Sequence, residues 1–166
     1  MRYAIRHSFD TDPDTFWKVF FDPEYNRALF VDHLRFKLYR VLALDRGPDG
    51  AVARRVECAP AVEIPAVARK VFGDATSYVE EGRFDPKTQR FTVSVAPKVG
   101  ADRIQTRLEM RVEAHGERRI ERIAEIDNTV KVFGVGKLIE AFIEGETRRT
   151  YDAAAEFTKK WLAEKT

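Results

Sequence analysis

The last thirty residues of the helical C-terminal region, 134–163, constrain the fold most strongly, because no other segment has so long a helical repeat. Its apolar residues recur at helical spacing in two groups, separated by a polar turn at 144–150. One long amphipathic helix that follows a run of strands needs a curved sheet to pack against, and this pairing predicts a cavity between the two. The apolar positions are Val135, Leu138, Ile139, Phe142, Ile143, Ala154, Phe157, Trp161 and Leu162.

The composition is typical of a globular protein and argues against a nucleic-acid binder. The chain has 166 residues, of which 44% are hydrophobic and 34% are charged, and this predicts one domain spanning residues 1–166. Its 29 basic and 27 acidic residues give a net charge of +2 and are mixed along the chain. Nucleic-acid binding needs a concentrated basic surface, so no such partner is expected.

The cysteine and histidine content and the hydropathy of the chain limit which covalent links, metal sites and cellular locations are expected. Cys58 is the only cysteine, which rules out an internal disulfide and favours a small core residue. The three histidines share no spacing typical of metal ligands, so no metal site is predicted. The sequence has neither an apolar run of about 18 residues nor a secretion signal at its N-terminus, so we expect a cytoplasmic protein.

The segments before the long helix predict seven strands and two short helices. Arg2 to Phe9 alternates as a strand, and Asp12-Pro13 is typical of a helix start, with an Asp cap and Pro at the first helical position. Asp22-Pro23 repeats that signal. Residues 60–74 fit neither period and predict a partly helical insertion. The other predicted strands are 34–44, 51–59, 76–84, 90–95, 104–112 and 120–133.

Two short motifs accompany this order of elements: Asp12-Pro13-x-x-Phe16-Trp17 and Phe21-Asp22-Pro23-Glu24-Tyr25. Together, the order and the motifs resemble the START-like helix-grip superfamily, also called SRPBCC, over nearly the whole chain. The junction 133–140 into the last helix resembles a bacterial branch of unassigned function, and it is also similar to the PRELI-type phospholipid carriers.

The resemblance implies an α+β helix-grip fold. A seven-stranded curved antiparallel sheet would be wrapped on the long C-terminal helix, with two short helices after the first strand. Members of the superfamily mostly bind apolar small molecules or lipids between sheet and helix, and some are polyketide cyclases or aromatases. No catalytic motif is shared across the superfamily, so no catalytic residue is assigned and no cofactor is expected.

We expect the ligand-binding site to be formed by inward residues of the strands and the long helix, with apolar walls and a few polar contacts. The apolar candidates are Val56, Phe91, Val93, Leu108, Met110, Ile126, Ile139, Phe142 and Ile143. The polar candidates are His7, Arg54, Asn128 and Glu146.

Each polar candidate has a purely structural alternative. His7 and Asn128 alternate with apolar neighbours and would also suit the core, each hydrogen-bonded to a nearby group. Glu146 belongs to the polar turn of the last helix, which would either contact a ligand or be solvated. Arg54 and Arg40 would need a partner if they faced a cavity, since an unpaired buried cation is costly. Their partner could be Glu81, Glu146 or an anionic ligand head group, and a register shift or bulge would instead place the arginines in water.

Three functions remain open at this stage. The first is a binding protein or carrier for a hydrophobic or amphipathic, lipid-like molecule. The second is a cyclase- or aromatase-type enzyme that uses His7 or Arg54. The third is an interaction module without a ligand. Residues 61–73 would form a lid, a transient membrane contact or an ordinary packed connection, and the oligomeric state is open.

Overall fold

The structure, a computed structural model, describes residues 1–165, which form one sheet and four helices. The strands are β1 (Arg2–Phe9), β2 (Leu38–Arg46), β3 (Val52–Ala59), β4 (Tyr78–Asp85), β5 (Arg90–Pro97), β6 (Ile104–Ala114) and β7 (Ile120–Val130). The helices are α1 (Pro13–Phe20), α2 (Pro23–Arg27), α3 (Ala66–Phe72) and α4 (Gly136–Lys165).

All seven strands belong to one antiparallel sheet in the order β1-β7-β6-β5-β4-β3-β2. The first strand therefore pairs with the last, with Ile5 opposite Ala124. The sheet is curved, and its inner face carries most of the buried apolar side chains. The predicted α+β helix-grip fold is confirmed.

The two short helices begin where the Asp-Pro pairs predict. Asp12 Oδ1 accepts a hydrogen bond from the Thr15 backbone N–H at 2.9 Å, and Pro13 is the first helical residue. Asp22 caps α2 in the same way. A π-helical turn, Ala28–His33, continues α2, and the chain thus reaches the sheet edge before β2 begins. These helices close one end of the sheet.

The helix α4 crosses the inner face of the sheet as its longest element. Its 30 residues correspond to about 45 Å at the helical rise per residue. A side chain at Gly136 would place its Cβ 2.7 Å from the Val130 carbonyl oxygen, so glycine permits the close approach of the helix start to β7. Glu140 Oε1 then accepts a hydrogen bond from the Val130 backbone N–H at 3.1 Å. The Gly134-x-Gly136 segment is thus a backbone joint between strand and helix.

Two predicted boundaries differ from the structure. β2 begins at Leu38 rather than at residue 34, and its register shifts between Val41 and Ala43, which leaves Leu42 39% exposed. β7 ends at Val130, so Phe133 lies in a loop with its side chain fully exposed. The partly helical insertion is confirmed as α3.

Candidate functional site

A cavity of about 350 Å³ lies between the inner face of the sheet and α4. Two thirds of its lining residues are apolar or aromatic, as in sites that bind small molecules, and the other third are polar or ionisable. The volume is at the lower end of the roughly 300–1,000 Å³ that such sites span. The polar or ionisable residues on its wall are Asn26, Arg54, Thr76, Tyr78, Glu80, Thr106, Arg122, Glu146, Thr147, Thr150, Tyr151 and Thr158, together with Tyr25.

Ten of the thirteen site residues predicted from the sequence line this cavity. The alternation of β3, β5, β6 and β7 directs one face of each strand inward, and one face of α4 meets them. The ten are Arg54, Phe91, Val93, Leu108, Met110, Ile126, Ile139, Phe142, Ile143 and Glu146.

The other three predicted residues lie outside the cavity wall. Val56 is 2% exposed and packs in the core. Asn128 is completely buried, and its Nδ2 donates a hydrogen bond to the Tyr3 hydroxyl at 2.9 Å, as the core alternative predicts. His7 is held between Arg122 and Asp152 rather than facing the cavity.

Arg54 is the most unusual residue of the wall. It is 9% exposed, and its guanidinium carbon lies 5.0 Å from the centroid of the Phe20 ring. The Phe21 and Phe91 rings lie at 5.4 and 5.3 Å from the same carbon. These distances are typical of cation–π interactions, which stabilise a desolvated cation. Arg54 Nη1 is buried and has no hydrogen-bond partner among the described residues.

The two carboxylates expected as partners of Arg54 instead form ion pairs with other arginines. Glu81 pairs with Arg55 at 3.2 Å on the outer face of the sheet, and Glu146 pairs with Arg149 at 2.7 Å. The inward carboxylate is Glu80, because Arg54 lies opposite Gly82 and side chains alternate along β4. Sequence reasoning missed Glu80, although the β4 alternation contains this signal.

Arg40 does not face the cavity. The register shift in β2 places it on the outer face, where it forms an ion pair with Glu57. Lys98 binds the same carboxylate from the neighbouring loop. The predicted alternative of a bulge therefore applies to Arg40 but not to Arg54.

Burial shifts the pKa values of the ionisable groups around Arg54. Burial raises the pKa of the Glu80 carboxyl, and the charge of Arg54 opposes that rise. Burial likewise raises the pKa of Tyr39 to about 12 and keeps the pKa of the Cys58 thiol well above its usual range. Cys58 is 2% exposed and is thus an unreactive core thiol.

A second buried cation, Arg122, lines the cavity from β7. It is 4% exposed and lies 5.3 Å from the Phe9 ring centroid and 5.0 Å from that of Tyr151. Arg122 Nη2 donates a hydrogen bond to His7 Nδ1 at 2.7 Å. Since Nδ1 accepts, the neutral imidazole carries its proton on Nε2 and donates it to Asp152 Oδ1, also at 2.7 Å.

The polar turn of α4 faces the cavity along one side. Glu146, Thr147 and Thr150 all line the wall. The Thr147 hydroxyl donates to the Ile143 carbonyl at 2.7 Å, so its hydrogen bond is already made within the helix. Tyr151, which sequence reasoning missed, follows this turn and lies beneath Arg122. The turn is thus neither fully solvated nor wholly available to a ligand.

The insertion at 61–73 covers one part of the cavity. Its side chains Val62, Ile64, Ala68 and Phe72 line the wall, and Ala68 and Phe72 are buried. A Cβ on Gly100 would lie 2.4 Å from the Phe72 ring, so the loop between β5 and β6 packs closely on α3. The segment thus contributes one side of the cavity wall.

Two other places could hold a small ligand or ion. An open depression of about 950 Å³ lies on the outer face of the sheet, where cross-strand ion pairs such as Arg2–Asp127 at 2.9 Å occupy the charged groups. In the β6–β7 hairpin, Glu113, His115 and Glu121 place potential ligand atoms within 4.8 Å of one another. Arginines already pair with both carboxylates of this group. The interior cavity is the better candidate, because its two buried arginines lack such ion pairs among the described residues.

Comparison with family models assigns the chain to a family. Residues 4–162 match the model described as "Protein of unknown function (DUF2505)", and the chain belongs to this family. No protein with a curated description matches the chain. No helix within residues 1–165 combines the length and the apolarity needed to cross a bilayer.

Solved structures show the same fold. Norcoclaurine synthase from Thalictrum flavum, in complex with dopamine and hydroxybenzaldehyde, has a TM-score of 0.64 at 18% identity, covering 96% of this chain and 88% of that one. The Zhui aromatase/cyclase from Streptomyces sp. R1128 has 0.63 at 12% identity, covering 96% and 94%. A START superfamily protein from Mycobacterium smegmatis has 0.59 at 16% identity, covering 97% and 98%.

These similarities establish the START-like fold that the sequence motifs indicate. At identities below a fifth, they carry no ligand or reaction over to this chain. The similarity to PRELI-type carriers is not among the similarities shown and stays a prediction.

Proposed function

We propose that this member of the DUF2505 family binds and carries a small amphipathic, lipid-like molecule in the cavity between its sheet and α4. The observation that carries the proposal is the cavity of about 350 Å³, whose mainly apolar wall also contains polar and charged groups. Two buried arginines on this wall, Arg54 and Arg122, have nitrogens without hydrogen-bond partners among the described residues. An apolar ligand with one polar end matches both features.

The START-like neighbours support binding of a small organic molecule in general. The norcoclaurine synthase structure contains dopamine and hydroxybenzaldehyde, which are small molecules with polar groups. An open interior also favours a ligand over the interaction-module alternative, for which a fully packed interior would be expected.

The first test of the proposal is to fill the cavity. Ala154 lines the wall from α4, and Ala154→Leu would place additional methyl groups in the cavity. We expect the affinity for the neutral fluorescent probe N-phenyl-1-naphthylamine to fall about tenfold or more, because the leucine side chain would occupy cavity space that the probe needs. Ala141→Leu is the matched control, since Ala141 is an exposed residue of the same helix.

In this experiment, probe fluorescence is titrated for the unaltered protein and both variants, and circular dichroism checks that each variant is folded. Equal probe affinity in the unaltered protein and Ala154→Leu would contradict binding in this cavity. Native mass spectrometry of the freshly purified protein provides a second readout, because a retained ligand would appear as added mass.

A carrier also needs a surface at which it meets a membrane, and we propose that this surface lies at the end of the molecule that carries the insertion at 61–73. We call it the apolar-basic end and define it as residues 61–74, 97–103 and 131–138. The Lys131 N–H donates to the Arg103 carbonyl at 2.7 Å, which joins the second and third segments. Together the three segments contain six basic and three acidic residues. Four of the basic side chains, Arg69, Lys98, Arg103 and Lys137, already form ion pairs.

Apolar side chains project from this end. Phe133 is fully exposed, Leu138 is 61% exposed and Val99 is 46% exposed. Exposed apolar residues flanked by basic ones suit an anionic membrane surface. The apolar residues of 61–73 itself mostly face the cavity, so the neighbouring loops, more than the insertion, would make the contact.

Co-sedimentation with vesicles tests the apolar-basic end. We expect the protein to bind vesicles that contain phosphatidylserine better than pure phosphatidylcholine vesicles, and Phe133→Ser to reduce that binding several-fold. Leu42→Ser is the control, because Leu42 is an exposed leucine on the distant strand β2. Equal binding of Phe133→Ser and Leu42→Ser would contradict this membrane surface.

The enzyme alternative is favoured by one observation. Glu80 faces the cavity, and burial raises the pKa of its carboxyl, as is common for groups that act as a general acid or base. The alternative predicts that Glu80→Gln retains affinity for a bound ligand but abolishes its conversion. Recovery of an unaltered ligand after incubation with the native protein would argue for carriage instead.

A further inference from the structure

The cavity wall carries more permanent positive charge than its carboxylates neutralise by contact. Arg54 and Arg122 are both buried and, as guanidinium groups, stay protonated. Of the two carboxylates on the wall, Glu146 is paired with Arg149 at 2.7 Å. Glu80 forms no ion pair within 4.0 Å among the described residues, and burial raises its pKa against the opposing charge of Arg54, which disfavours its charged form. The interior therefore attracts an anion.

Arg54 is the cation that is positioned to bind an anion in the cavity. The three phenylalanine rings around it, at 5.0 to 5.4 Å, stabilise its charge but accept no conventional hydrogen bond. Its Nη1 is buried without a partner among the described residues, and the residue lines the cavity. A buried donor of this kind is costly unless an acceptor is supplied. Arg54 thus has an unsatisfied hydrogen-bond donor, Nη1, on a cation that is surrounded by aromatic rings.

Arg122 is less available than Arg54. Its Nη2 donates to His7 Nδ1, and His7 in turn binds Asp152, so a chain of polar groups connects it to an exposed carboxylate. Tyr151 and Phe9 cover the rest of the guanidinium. Arg122 contributes positive potential to the cavity, whereas Arg54 offers a direct contact.

We propose that the ligand is a small amphipathic acid, whose carboxylate binds Arg54 while its hydrocarbon part lies against the apolar wall. This inference rests on the proposed function and names the chemical class of the ligand. A carboxylate supplies both the missing acceptor and the missing negative charge, whereas a neutral carbonyl supplies only the acceptor. Glu80, which faces the same cavity, would donate a hydrogen bond to the acid in its protonated form.

The test compares an acid with a neutral analogue of the same shape. Isothermal titration calorimetry measures the binding of decanoate, methyl decanoate and decyl phosphate to the unaltered protein. We expect decanoate to bind about tenfold more tightly than the ester, since a charge-assisted hydrogen bond is gained only with the acid. Tighter binding of decyl phosphate than of decanoate would overturn the assignment of a carboxylate.

Two variants locate the acid site. Arg54→Met keeps an unbranched side chain but removes the charge, and it should abolish the preference for decanoate while changing ester affinity less than about threefold. Arg55→Met is the control, because Arg55 is the next residue in the chain and pairs with Glu81 on the outer face. It should leave both affinities unchanged.

The outcomes separate this inference from the proposed function. If the ester binds as tightly as decanoate to the unaltered protein, or if Arg54→Met keeps the preference, the acid inference fails while the binding function stands. If neither compound binds, both fail. The comparison on the unaltered protein decides the matter even if Arg54→Met does not fold.

Discussion

At the residue scale, the sequence indicates which side chains face inward more reliably than it indicates what they bind. The alternation of β3 and β5 correctly places Arg54 and Phe91 on the cavity wall. The alternation of β4 groups Glu80 with Tyr78 and Phe84, but the register between β3 and β4 is needed to show that this face is the one that Arg54 shares. For His7 the pattern gives the face correctly, but its ring binds Arg122 and Asp152 and does not line the cavity.

The contacts of His7 lead to a pH-dependent stability. Burial lowers the pKa of His7 from 6.5, the charges of Arg122 and Lys159 lower it further, and Asp152 opposes the shift. The folded protein therefore binds a proton at His7 less readily than the unfolded chain does. The free energy of unfolding should then fall as the pH is lowered through about 6.5.

The variant His7→Gln isolates this effect, because a glutamine amide can accept from Arg122 and donate to Asp152 without titrating. Urea denaturation between pH 5 and 8 should show a smaller loss of stability at low pH in His7→Gln than in the unaltered protein. His115→Gln, at an exposed histidine beside Glu121, should behave like the unaltered protein. An equal or larger loss of stability at low pH in His7→Gln would contradict the lowered pKa of His7.

At the element scale, capping and periodicity predict most of the structure. The two Asp-Pro pairs give the starts of α1 and α2, since an aspartate cap and a proline at the first helical position are local chemistry. The bulge in β2 is not predictable from its own sequence, because it depends on pairing with β3. The true end of β7 is hidden for a similar reason: Val132 continues the strand pattern but packs beyond the sheet beside α4.

Gly82 in β4 shows how an element prepares the site. A Cβ at this position would lie 2.2 Å from the ring of Phe91, which is one of the three rings around Arg54. We expect Gly82→Ala to lower the free energy of unfolding by about 1–3 kcal/mol, because the ring must move out of its position.

A second glycine is a control of opposite sign for this measurement. Gly145 lies inside α4, where an added Cβ would meet no neighbouring atom within 4 Å, so Gly145→Ala should raise the free energy of unfolding by about 0.5–1 kcal/mol. Urea denaturation of the unaltered protein and both variants measures the two changes. Equal stabilisation by the two substitutions would show that Phe91 does not fill the space above Gly82.

At the scale of the whole molecule, the order of elements predicts the fold, whereas the cavity depends on details that only three-dimensional packing decides. One long helix after seven strands must cover the sheet, which follows from burying its apolar face. The volume that remains depends on how closely α4 approaches the strands, and Gly136 and Glu140 fix that approach at one end. The apolar-basic end is also not evident from the sequence, because three separate segments form it.

The central claim is that a ligand occupies the interior between the sheet and α4. Isotope-filtered NMR measures it most directly, by detecting contacts between unlabelled decanoate and ¹³C-labelled methyl groups of the protein. The account predicts contacts from the alkyl chain to Leu108, Ile126 and Ile143, which line the cavity. Contacts confined to exposed methyl groups such as those of Val41 and Leu42 would contradict it.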